Sequence, residues 1–152
     1  RSIPVTPLGY RHWMAREAPP FRAGIAAGAE VVMFGHLTYS SVDQQPASLS
    51  PVWHDILRSK LGFTGVTITD DMLMLQHSGR PEYADPVENA IEALAAGNTM
   101  LLYVLPADPA AEGVDISRLI SGIAGAVESG RLDPAQIDSA AYRLLLLRRQ
   151  LS

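Results

Sequence analysis

Apolar residues gather in three short runs, Val31 to His36, Val66 to Asp70 and Met100 to Leu105, separated by stretches where they recur at helical spacing. Each run is nearly continuous instead of alternating, which predicts strands buried on both faces. The runs start about 35 residues apart, enough for a helical crossover and hence parallel pairing; a hairpin would leave only a few residues between them.

The intervening helices carry explicit signals. Ser50-Pro51, Asp85-Pro86-Val87-Glu88 and Asp133-Pro134-Ala135-Gln136 each place a capping side chain before a proline at the first helical position. Gly28, Gly62, Gly97 and Gly130 follow helical patterns and suit the left-handed position after a helix end. A helix over about 115–129 aligns Ile116, Leu119, Ile120, Ile123 and Val127; the last one aligns Ile137, Ala140, Ala141, Leu144 and Leu145. Such stripes predict core packing. Residues 1–19 are broken by Pro4, Pro7, Gly9 and Pro19, with Pro20 following, so only a short helix over 21–27 is expected there. The resulting βαβαβα order fits a doubly wound open sheet or a (β/α)8 barrel. Three strands cannot close a barrel, and the pattern alone favours a small open sheet.

Composition narrows the function. The chain has 152 residues with 47% hydrophobic and 18% charged positions and a net charge of −4, the balance of one globular domain. Without a basic stripe, nucleic acid is not an expected partner. No apolar run is long enough for a membrane span. With no cysteine, disulfides and thiolate ligands are excluded. The chain opens on Arg1 instead of a methionine, and it is expected to be a processed, cleaved or partial product.

In either architecture ligands collect at the carboxyl ends of the strands. The first strand ends at His36, with Tyr39 and Asp43 beyond it; the second ends in Asp70-Asp71-Met72. A carboxylate held by rigid strand backbone suits a nucleophile or a metal ligand. His36, Asp70 and Asp71 could supply a mixed ligand set, yet no His-x-x-x-His or Glu-x-x-His spacing accompanies them. Of the other histidines, His77 lies in the loop after the second strand, His54 is expected on a helix surface, and His12 lies away from the strand ends. Neither a glycine-rich phosphate loop nor a serine-centred nucleophile elbow is present.

Taken together, several segments resemble bacterial family 3 glycoside hydrolases of the β-N-acetylhexosaminidase kind. They are Val32-Met33-Phe34-Gly35-His36-Leu37-Thr38-Tyr39, then Asp43, Pro46-Ala47-Ser48-Leu49-Ser50-Pro51, Leu61-Gly62-Phe63-Thr64-Gly65-Val66, Thr69-Asp70-Asp71-Met72 and Ala95-Ala96-Gly97-Asn98. The resemblance covers about residues 20–149. It implies an α/β fold in which residues 1–152 form the C-terminal portion, about strands six to eight, of one (β/α)8 catalytic barrel. The upstream part, with the family's lysine-histidine pair and Asp–His acid/base dyad, would lie outside this chain. Asp70 is then the catalytic nucleophile, with His36, Asp71 and Met72 as substrate-binding candidates and Asp71 also a shaper of the loop. The implied reaction is retaining removal of terminal β-linked N-acetylglucosamine, from peptidoglycan fragments or related amino-sugar glycans, without cofactor or metal. The implied partners are a carbohydrate substrate and the missing half of the barrel or another covering chain. Thr99 departs from the family's usual aspartate. The alternatives are a non-catalytic sugar-binding or structural remnant of the same family, and a divalent-metal enzyme on an unrelated sheet.

Overall fold

A computed structural model describes residues 2–150; the terminal positions 1, 151 and 152 of the expected unit lie outside the described residues. Its central feature is a three-stranded parallel sheet in the order β2 (Val31–Phe34), β4 (Val66–Asp71), β5 (Met100–Leu102). Met33 lies beside Ile68, and Ile68 beside Met100, so one row crosses all three strands. All three expected strands form, with the outer two ending early at Phe34 and Leu102.

The crossovers begin where the capping residues predict. The Ser50 hydroxyl accepts from the Trp53 amide at the start of α3 (Pro51–Asp55), which continues as a π-helical turn, Ile56–Lys60. Asp85 caps α5 (Pro86–Ala96), and Gly97 ends it at φ 118, where a side chain would be strained. Asp115 caps α6 (Ile116–Glu128), and Asp133 Oδ1 accepts from Ala135 N ahead of α7 (Pro134–Gln150). The main core lies between α5, α6 and the strands, built on Val87, Ile91, Leu94, Leu119 and Ala126. Gly122 permits the close α5–α6 approach, because a Cβ there would overlap Val87 Cγ1.

Several expectations need correction. Residues 1–19 are more ordered than their prolines suggest. β1 (Val5–Thr6) pairs in parallel with β3 (Thr38–Tyr39), and α1 (Tyr10–Arg16) precedes α2 (Ala18–Ala26). Pro19 and Pro20 sit in the first turn of α2, where a missing amide hydrogen costs no helical bond. His54 is not on the surface but 4% exposed, stacked on Phe34 with ring centroids 4.0 Å apart. Ile116, Ile120 (64% exposed), Ala141 and Leu145 face outward, because only part of each helical stripe finds a neighbour among the described residues.

The outer strands are also not covered on both faces. Val31, Met33 (52% exposed), Met100 and Val104 project into the open. Strand alternation explains this: Phe34 packs toward α3, which leaves its neighbour Met33 on the other face. One face of the sheet is thus padded by helices, while the other presents an apolar row without a partner among the described residues.

Candidate active site

Side chains on alternate residues of β4 receive amides from the β5 segment. Thr67 Oγ1 accepts from Thr99 N at 3.1 Å, Thr69 Oγ1 from Leu102 N at 3.0 Å and Asp71 Oδ1 from Val104 N at 3.0 Å. These bonds stand in for regular ladder contacts around the register shift between Ile68 and Asp71. They commit Thr67, Thr69 and Asp71 to one face. Ile68 and Asp70 therefore belong to the other, open face, which places Asp70 at the carboxyl end of the central strand above the Met33–Ile68–Met100 row.

Asp70 Oδ1 accepts the Asp71 amide at 2.8 Å. Asp71 is tied down more heavily, since its Oδ1 also accepts from Leu73 N at 3.2 Å, in the turn that leads into α4 (Leu73–Gln76). The carboxylate of Asp71 thus ties the loop after β4 to the segment after β5. The Met72 side chain is 1% exposed and packs with Ile3, Leu49, Leu75 and Tyr83. His36 is also buried and has both ring nitrogens engaged, Nδ1 with Ser48 Oγ at 2.6 Å and Nε2 with the Asp71 carbonyl at 3.0 Å. Burial, opposed by that carbonyl bond and by the charges of Asp70 and Asp71, holds the His36 pKa below its ordinary value. Asp71 lines an open cavity, together with Leu73, Met74, His77 and Glu112.

Sequence reasoning left two participants unassigned. His77 Nε2 lies 3.1 Å from Glu112 Oε2, and Gln76 Nε2 donates to the Glu112 carbonyl at 2.6 Å, so the loops after β4 and β5 are joined over the rim. Tyr103, pushed up to about 12 first by burial and then by Asp71, closes the core beneath. Asp43 serves the scaffold, accepting from Ser50 Oγ at 2.5 Å, and Tyr39 packs on Trp53. Among the described residues no three His, Cys, Asp or Glu side chains come together as a metal site. No helix there is long and apolar enough to cross a membrane.

This arrangement is a parallel α/β sheet with two adjacent carboxylates, Asp70 and Asp71, at the end of its central strand. The profile of the glycosyl hydrolase family 3 N-terminal domain matches residues 1–147. The chain belongs to glycosyl hydrolase family 3. Among curated relatives of this family 3 chain, a β-hexosaminidase of Vibrio cholerae is 38% identical over 112 residues, 72% of this chain and 33% of that protein. One of Stenotrophomonas maltophilia is 46% identical over 71 residues, 46% of this chain and 21% of the other. The chain thus spans between a fifth and a third of the length of these relatives. Among solved structures, a family 3 β-N-acetylglucosaminidase from Paenibacillus superposes with a TM-score of 0.81 at 29% identity, covering 98% of this chain and 27% of that one. A β-N-acetylhexosaminidase from Beutenbergia cavernae gives a TM-score of 0.65 at 33% identity, covering 84% and 36%. The α/β architecture described above is consistent with the barrel-like N-terminal domain of this family.

Proposed function

We propose that this chain is the C-terminal portion, about strands six to eight, of the (β/α)8 barrel of a retaining β-N-acetylhexosaminidase, with Asp70 as its nucleophile. The observation that carries this reading is the position of Asp70 at the end of the central strand, on the sheet face that a barrel would enclose. In such a barrel chemistry occurs at the carboxyl ends of the strands. The names of the relatives supply the substrate class, β-linked N-acetylglucosamine at a glycan end, with peptidoglycan fragments and related amino-sugar glycans as candidate sources.

The chemistry has two steps. A carboxylate oxygen of Asp70 bonds to the anomeric carbon while the glycosidic bond breaks; its electron pair leaves on the aglycone oxygen, which takes a proton from a general acid. Water then attacks the anomeric carbon, gives a proton to the same acid/base group and releases Asp70 as carboxylate. The acid/base group is assigned to the upstream polypeptide. In support, Ile3 packs in the cluster that contains Met72, and the Thr38 amide donates to the Pro4 carbonyl at 3.0 Å. Ile3 is therefore held against the turn that follows Asp70. Asp71 belongs to the face opposite Asp70 and holds the amides of Leu73 and Val104, so beside the nucleophile it shapes the loop.

A 2-deoxy-2-fluoro glycoside or another mechanism-based inactivator tests this directly on the complete enzyme. Peptide mapping should place the covalent sugar on Asp70. Attachment at Asp71, or at no residue of this chain, would remove the nucleophile assignment.

A further inference from the structure

We propose that His36 is a positioning residue that sets the aim of the nucleophile and makes no contact with the sugar, an assignment that rests on the glycosidase reading of Asp70. A carbonyl can only accept, so the 3.0 Å bond to the Asp71 carbonyl places a hydrogen on Nε2. In the neutral ring Nδ1 is then an acceptor, and the Ser48 hydroxyl donates to it at 2.6 Å. Ser48 is itself fully buried and is held from behind, its carbonyl accepting from Asn98 Nδ2 at 2.7 Å. The second hydrogen of Asn98 Nδ2 goes to the Ala93 carbonyl at 2.8 Å. One buried run of hydrogen bonds thus joins the segment after β2, the turn before α3 and the residue ahead of β5, and it ends on the residue next to the nucleophile.

That end point is held from every side. The Asp71 amide donates to Asp70 Oδ1, its carbonyl is gripped by His36, and its carboxylate binds the amides of Leu73 and Val104. Without His36 the Asp71 carbonyl loses its buried donor, and the strand-to-turn backbone that carries Asp70 is free to rotate. The sugar does not gain a contact from this histidine, since both nitrogens are occupied and the ring is sealed from the cavity beside Asp71. The burial that keeps the imidazole neutral also preserves the single N–H tautomer on which the relay depends.

Steady-state kinetics of the complete enzyme on an aryl β-N-acetylglucosaminide distinguish positioning from contact. His36→Ala should lower kcat by about 100-fold, the effect of roughly 1 Å of misplacement, with KM within about twofold. His36→Gln, whose amide can both donate to Asp71 and accept from Ser48, should recover about tenfold of that loss. Ser48→Ala, which leaves the bond to Asp71 in place, should cost about tenfold in kcat and serves as a second reading where His36→Ala does not fold. A rise in KM with kcat retained would make His36 a sugar contact and overturn the proposal, as would wild-type kinetics in all three variants. An active Asp70→Asn enzyme would instead sink the underlying nucleophile reading. A dead Asp70→Asn enzyme alongside unaffected His36 and Ser48 variants would sink only the positioning role.

Discussion

Asp70→Asn in the complete enzyme is expected to reduce hydrolysis by roughly four to six orders of magnitude, the scale on which loss of a covalent catalytic group falls. The amide has nearly the same shape as the carboxylate, and its oxygen can still accept the Asp71 amide hydrogen that Asp70 Oδ1 accepts now. Asp70 makes no ion pair among the described residues, so its replacement leaves no buried charge without a partner. The melting temperature should therefore stay close to that of the parent, within the roughly 0.5 kcal/mol typical of substitutions away from the core. Asp71→Asn provides the contrast. It retains an acceptor for Leu73 and Val104 and should keep measurable turnover. Rate measurements on both variants, with a melt of each, decide the matter. An inactive Asp71→Asn beside an active Asp70→Asn would exchange their roles.

Residues 1–152 on their own should show negligible hexosaminidase activity and should associate, and co-expression with the upstream half should restore turnover. Among the described residues β2 and β5 each pair on one side only, and neither strand carries a proline or lysine to discourage further pairing. The open face adds Val31, Met33, Met100 and Val104, and the last two helices add Ile120, Tyr142 and Leu145. Apolar surface of this kind recruits a cover. Light scattering and an aryl-glycoside assay on the isolated chain suffice as measurements. A monodisperse monomer that hydrolyses the substrate at a normal rate would refute the expectation. It would also direct attention to His77, paired with Glu112 at the rim, as an acid held within this chain.

The elements most legible in the sequence are those specified locally. Ser50, Asp85 and Asp133 announce their helices because a cap bonds an amide two or three residues away. The strand runs were readable because apolar continuity is a property of the segment itself. What the sequence concealed depends on partners distant along the chain. Val5 and Thr6 become a strand only because Thr38 and Tyr39 lie beside them. His54 looks like a surface residue until Phe34 stacks on it, and His36 looks like a rim ligand until Ser48 and Asp71 occupy its nitrogens. Ile120 and Leu145 carry the periodicity of buried residues, but periodicity does not say which neighbour will cover them. Asp70 was legible for a mixed reason: its place at a strand end follows from the pattern, whereas the role proposed for it rests on resemblance.

The two sealed imidazoles make unfolding an event of proton uptake. Burial is the first cause that holds His36 and His54 below the ordinary histidine value of 6.5. Released into water, each ring binds a proton at a pH where the native ring does not. The stability they protect is therefore complete above about pH 6.5 and drains away as the pH falls toward their lowered native values, by up to about 1.4 kcal/mol per pH unit for each ring. Melting temperatures recorded at pH 7.5 and pH 5 should differ in that direction, and replacing His54 with a neutral ring-sized residue should narrow the gap. Both histidines are joints, one under the carboxyl end of β4 and one between α3 and β2. Acid unfolding is accordingly expected to begin in this scaffold.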